Sequence, residues 1–291
     1  MASTHPLDIT PLSPTLGARV SGLDLATPLD SEAIVAIRQA LLKHEVLFFE
    51  NQELTPAQQR DFAARFGPLH LHPIRPSVPG TPEVLVLDNQ PASDTDVGAW
   101  RADVTFIETP PMASMLYARE VPAEGGDTLW SSMRAAYAAL SPSLRAFLLP
   151  LDAEHDFTRS FPPDHLTSLN VGIERYAWAR REYPPVAHPL VRTHPETGRD
   201  GLFVNSGFTT RILGLTKAES AKLIELLAEH VQRPEFVIHW RWKPNTLAFW
   251  DNRVTQHYTV DDFQPHRRVM HRVTVLGDKP FNQARMKLAA E

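Results

Sequence analysis

The chain has 291 residues, a formal net charge of −5 and no cysteine. The mild acidity argues against nucleic acid as the main partner. The absence of cysteine excludes disulfides, thiolate metal sites and a cysteine nucleophile, and is compatible with a reducing, cytoplasmic setting. No apolar run approaches the ~18 residues of a membrane span, and the start, MASTHPLDITPLSP, lacks the basic and apolar regions of a secretory signal. The 26 prolines suggest stiffened loops around strands rather than a helical bundle.

Residues 7–28 read as short strands and turns. A helix is predicted over 31–43, with Ile34, Ile37, Leu41 and Leu42 on one apolar face. A short buried strand, Val46 to Phe49, follows. Thr55-Pro56-Ala57-Gln58 then opens a second helix with a capping box and a proline at its first position, and Phe62 and Phe66 lie on its core face. After LHLHPIRP comes a strand, Glu83 to Leu87, then a polar loop, Asp88 to Gly98, leading into Trp100 to Ile107.

The turn Glu124-Gly125-Gly126-Asp127 precedes a strand at Thr128, and helices are predicted at 132–140 and 142–149. Residues 156–185, rich in proline, arginine and aromatics, are the least regular stretch, and such a stretch suggests a lid. Strand signals return at Leu202 to Asn205. A capping box, Thr216 to Glu219, opens a helix that runs to about Gln232. Phe236, Ile238, Trp240 and Trp242 alternate as one face of a strand. No repeat and no linker interrupts the chain. Strands spread from end to end while helices cluster early and in insertions. That pattern fits a single α+β domain over 1–291, built on a β-sandwich or jelly roll with flanking helices.

The stretch Asn245 to Phe281 carries the chemistry. His257 follows a hydrophobic strand and the corner Asp251-Asn252. The alternating, β-branched run Val269 to Leu276 reads as a strand. Arg268, Met270 and Arg272 then share one face, and Val269, His271, Val273 and Val275 the other. Two arginines on one face need anions: either they form two surface salt bridges on an edge strand or, as the flanking hydrophobic segments favour, they mark two anion sites in one pocket beside a histidine able to bind metal.

Six segments resemble the taurine dioxygenase family of Fe(II)/2-oxoglutarate enzymes: WRADVTFIETPP, GGDTLW, EHDF with SFP, FVNSGFTTR, WDNRVTQHY and RRVMHRVTVLGDKPF. They span nearly the whole chain in family order. The resemblance implies a double-stranded β-helix and a facial triad of two histidines and one carboxylate, which leaves positions for 2-oxoglutarate and O₂. By motif match Asp103 is the carboxylate and His257 the distal histidine. Arg268 matches the arginine that pairs with the far carboxylate of 2-oxoglutarate, and Thr128 the hydroxyl donor to the same group. Arg272 and His72 match the substrate sulfonate contacts. Ser160, Phe161 and Phe208 match pocket and lid contacts. Family members are often dimers or tetramers.

Arg101 stands where the family motif has its first histidine. On a strand it would point to the same side as Asp103. It has no lone pair suited to Fe(II), and Asp103 is its expected partner. Arg75 replaces a tyrosine of the taurine-type pocket, and Val97 falls near an asparagine that contacts the taurine amine. Losing an amide and gaining a cation favours an anionic sulfonate or sulfate ester with an apolar tail. Three readings follow. The first is a dioxygenase that hydroxylates the carbon next to a sulfonate or sulfate, releasing sulfite or sulfate, succinate and CO₂. The second is a metal-impaired, non-catalytic relative that keeps the anion pocket. The third is a dioxygenase for another carboxylate substrate.

Overall fold

In the computed structural model the described residues are 7–89, 98–163 and 172–288, side chains to 287. Two helices, two main sheets and a smaller mixed region organise them. The first helix, Ser31–His44, starts where the Asp30 side chain accepts the backbone N–H of Ala33. The second, Pro56–Ala64, carries the expected capping box between Thr55 and Gln58. Both present apolar stripes, Ile37, Ala40 and Leu41 on one and Phe62 and Ala63 on the other.

These stripes cover one face of an eight-stranded sheet. Its order is Asp8–Pro11, Ala18–Ser21, Val46–Phe49, Leu247–Asp251, Ala113–Glu120, Arg268–Val275, Thr81–Asn89 and Ser77–Val78. The pairs are antiparallel except Ala18–Ser21 with Val46–Phe49, which is parallel. Period-two alternation decides which side chains meet the helices. Met115, Tyr117, Phe249, Val273 and Val275 do so.

The other face packs against a three-stranded antiparallel sheet, Val237–Trp240, Thr128–Ser132 and Thr255–Thr259. Between the two sheets Phe48, Leu116, Trp250 and Met270 meet Trp130, Ile238 and Trp240. Phe48 stacks on Trp240 with ring centroids 3.8 Å apart. The fold is thus α+β: two sheets face to face, with helices on the outer side of the larger one.

Beyond the small sheet, a second apolar cluster joins the helices Met133–Ala139 and Lys217–His230 to strands Asp152–His155 and Asp200–Leu202. The region expected to be irregular is partly regular. Phe157–Arg159 forms a 3₁₀ turn and Ile173–Glu182 an α-helix. Phe157, Phe161, Tyr176 and Phe208 pack there with Phe106. Alternating arginines and aromatics hid this helix, because its inward face is narrow: Tyr176 and Ala179 are its buried residues. Residues 164–171 of the same stretch lie outside the described set. No described helix is long and apolar enough to cross a membrane.

Candidate active site

The site lies between the two main sheets, at the end where strand Arg268–Val275 faces strand Thr255–Thr259. Alternation on the former is as expected: Met270 and Val273 fall in opposite core clusters, and Arg268 and Arg272 share the inner face with Met270. Arg268 is buried. Its Nε donates to the Gly126 carbonyl at 3.0 Å and its Nη2 to Thr128 Oγ1 at 3.4 Å. Thr128 Oγ1 also accepts the Trp242 indole N–H at 2.9 Å. The glycine is required here. Gly126 sits at φ +70°, and an added Cβ would lie 3.0 Å from Arg268 Cδ.

Arg101 and His257 face each other across an isolated antiparallel bridge, with both mutual backbone hydrogen bonds formed, at 3.0 and 2.8 Å. The segment is not the strand expected. Beyond Arg101 the chain turns, and Val104 takes φ +53°. Asp103 therefore owes its place to side-chain clamps rather than to strand parity. Asn252 Oδ1 accepts the Asp103 N–H at 2.7 Å, and Asn252 Nδ2 donates to the Asp103 carbonyl at 2.9 Å. Three further groups hold the turn after it. His188 Nε2 donates to the carbonyls of Thr105 and Ile107 at 3.0 and 3.1 Å. His155 and Asn205 both hydrogen-bond Thr105 Oγ1. The corner before His257 is fixed by Asp251, which takes Arg253 at 2.6 Å and His194 at 3.0 Å.

The Asp103 carboxylate is almost fully buried. Its partner is not Arg101, as the sequence suggested, but Arg272, whose Nη1 donates to Oδ1 at 2.7 Å. Ser114 Oγ donates to Oδ2 at 2.7 Å. Arg272 reaches Asp103 because strands Arg268–Val275 and Ala113–Glu120 are neighbours and put Arg272, Thr274 and Ser114 on one inner face. Burial alone would raise the Asp103 carboxyl; Arg272, then His257, Ser114 and Arg101, outweigh it and hold the group below the usual carboxylate range. The anion that Arg272 needs is thus supplied in part from within the protein. Its Nε, also buried, has no hydrogen-bond partner among the described residues.

Arg101, Arg268, Arg272 and His257 line one small cavity with Asn89, Thr259, Leu87, Leu116 and Trp250. Its volume is about 20 Å³, room for roughly one water. Next to it, Ser160 Oγ donates to the Gly207 carbonyl at 2.6 Å, and Phe161 and Phe208 pack as a buried pair with centroids 6.4 Å apart. His72 is buried, 5.8 Å from the Phe161 ring, and its Nδ1 accepts the backbone N–H groups of Ile74 and Arg75. The Arg75 guanidinium lies over the same Phe161 ring at 5.6 Å. Val97 lies outside the described residues. Ser114 and His188 had no motif to announce them, whereas His155, Asn205 and Asn252 stood within the EHDF, FVNSGFTTR and WDNRVTQHY segments, which were the usable signals.

The motif implies a metal, and the donor set does not fit one. Asp103 Oδ1 and His257 Nε2 lie 3.9 Å apart, within reach of one ion. The third position carries Arg101, which donates and cannot ligate. Among the described residues no group of three His, Cys, Asp or Glu could hold a metal. His70 does not complete such a group among the described residues. Burial first, then the Arg272 guanidinium, lowers its pKa to about 4, so the ring is neutral near pH 7 and its position rather than its protonation keeps it out of the set.

Residues 8–274 match the family described as taurine catabolism dioxygenase TauD, TfdA family. A relative named alpha-ketoglutarate-dependent sulfate ester dioxygenase, from Pseudomonas putida, is 38% identical over 94% of this chain and 91% of its own. An alkylsulfatase from Acinetobacter baylyi is 34% identical over 94% of this chain and 86% of its own. The crystal structure of a taurine dioxygenase from Burkholderia xenovorans superposes with a TM-score of 0.81 at 38% identity, covering 96% of this chain and 93% of that one. Six motifs in order, two facing sheets with the motif residues between them, and these likenesses over nearly the full length agree: the chain belongs to the TauD/TfdA family of 2-oxoglutarate-dependent dioxygenases.

Proposed function

We propose that this chain carries the co-substrate and anion sites of a dioxygenase directed at alkyl sulfate esters or alkyl sulfonates. In this reading Arg101 withholds the Fe(II) on which the chemistry depends. The two facing sheets are read as the double-stranded β-helix of the family, in one domain over 1–291, with 156–185 as the lid. The reaction such a scaffold serves hydroxylates the carbon beside a sulfate or sulfonate group. The product collapses to an aldehyde and sulfate or sulfite, with succinate and CO₂ from 2-oxoglutarate and O₂.

The observation that carries the reading is the inner face of strand Arg268–Val275. Arg268, backed by Gly126 and Thr128, would take the far carboxylate of 2-oxoglutarate through a planar fork. Arg272, whose buried Nε has no hydrogen-bond partner among the described residues, would take the substrate anion with His72 and Arg75 at the aromatic wall of Phe161 and Phe208. An apolar tail suits that wall, and the names of the sulfate ester dioxygenase and alkylsulfatase relatives favour a sulfate ester over an amino-bearing taurine. The cavity must open for either ligand, which long arginine side chains allow. A cytoplasmic, homo-oligomeric enzyme is the expected setting.

The second reading, a metal-impaired anion binder, is supported by Arg101 at the first-ligand position, since a guanidinium offers a metal no lone pair. Calorimetry with 2-oxoglutarate tests the pocket. Arg268→Ala should remain folded and lose about 2 to 5 kcal/mol of binding energy. Unchanged binding removes the assignment. Succinate release tests the chemistry. Arg101→His with Fe(II), given alkyl sulfate esters and alkyl sulfonates, should turn over where the unaltered chain does not. Equal turnover by the two proteins sinks the role given to Arg101.

A further inference from the structure

We infer that Arg101 converts this cleft into a metal-independent site for a small dicarboxylate of the 2-oxoglutarate class, its guanidinium taking the charge role of a divalent cation. The inference rests on the reading that Arg268 receives the far carboxylate, and it adds what receives the near end.

Directly opposed residues in an antiparallel pair send their side chains to one face, so Arg101 and His257 look into the same space. Both line the cavity that Arg268 and Arg272 also line. Arg268 comes from the large sheet, whereas Arg101 comes from the segment bridged to the small sheet, so two guanidinium forks enter from opposite walls. The exit of Arg101 is fixed from behind. A Cβ on Gly207 would lie 2.9 Å from Arg101 Cβ, so the glycine lets its loop rest on the base of that side chain. Nothing larger fits without shifting it.

A guanidinium stays charged in a protein and offers paired donors at the spacing of a carboxylate. A dicarboxylate can therefore be held at both ends by arginine. A divalent cation entering the same space meets like charge from Arg101 and Arg272, with Asp103 already engaged by Arg272 at 2.7 Å. The site that a metal would complete is here completed by a side chain.

Calorimetry with 2-oxoglutarate, run in EDTA and again with Mn(II), tests this, with melting curves showing that each variant is folded. The unaltered chain should bind in EDTA, and Mn(II) should change its affinity by less than about threefold. Arg101→Ala should bind at least about tenfold more weakly in EDTA, while Arg101→Lys, which keeps the charge without the fork, should fall between the two. Arg101→His should make binding depend on Mn(II) by about tenfold or more, as a lone pair replaces a cation. Binding by the unaltered chain that requires Mn(II), or an Arg101→Ala protein that binds as tightly as the parent, overturns the inference. A loss in Arg101→Ala with none in Arg268→Ala supports the role of Arg101 and removes the Arg268 assignment instead. No binding by the parent under either condition overturns both.

Discussion

The space between the two sheets has two ends of opposite character. At one end Trp130 and Trp240 pack with Phe48 into an aromatic core, and Trp250 bridges it to the cavity, its ring 5.1 Å from His257. At the other, Arg101, Arg268 and Arg272 enclose a small cavity beside Asp103 and His257. The same strands build both ends, and what differs is how each tolerates change. The aromatic end holds by area and shape, and its cost of change is a void. The charged end holds by pairing, so removing one partner strands the other in a poorly solvated place. The difference separates the stabilising end from the ligand-responsive end of one layer.

Four perturbations test that division. Trp130→Ala should cost the most stability, about 3 to 5 kcal/mol in denaturant unfolding, because the indole is fully buried between the sheets. If the division is right, any folded fraction keeps its 2-oxoglutarate affinity. A selective loss of binding would mean that the two ends are coupled.

Asp103→Asn should cost about 2 to 4 kcal/mol, since Arg272 loses its buried anion. In contrast to the tryptophan change, it should strengthen anion binding in the cleft, because one negative charge is removed beside three guanidinium groups. Weakened anion binding would show that Asp103 orients Arg272 for the ligand rather than competing with it.

A smaller, pH-dependent effect belongs to His188, which clamps the turn after Asp103. Burial, partly offset by its bond to the Thr105 carbonyl, lowers its pKa from 6.5 to about 4. The unfolded chain therefore binds the proton first as pH falls. The stability from neutral His188 is full above about pH 6.5 and declines toward pH 4, by at most about 1.4 kcal/mol per pH unit. His188→Asn, which cannot titrate, should show a shallower fall of melting temperature between pH 7 and pH 5. An identical slope would assign the acid sensitivity elsewhere. Ser114→Ala should have the smallest effect, about 1 kcal/mol, as it removes one hydrogen bond from a carboxylate that keeps Arg272. A loss as large as that of Asp103→Asn would make Ser114 more than an accessory donor.

Much of this was legible in the chain itself. Period-two alternation placed Arg268 and Arg272 on one inner face and Val273 and Val275 on the other, because strand geometry leaves only two sides to choose from. Capping residues fixed the starts of Pro56–Ala64 and Lys217–His230, because unpaired N–H groups at a helix start need local acceptors. The motifs gave the family, and the arginine at 101 announced its own conflict with a metal, since no fold supplies a lone pair to a guanidinium.

Only the tertiary structure decided who pairs with whom. Arg272 rather than Arg101 sits on Asp103, because register across two neighbouring strands, and not nearness in sequence, sets that distance. Asp103 itself lies in a turn held by Asn252, and the turn by His188, residues 149 and 83 positions away from their partners in the chain. Such clamps leave no period in the sequence. Each is a single side chain satisfying a buried backbone group, and its partner exists only once the sheets have packed.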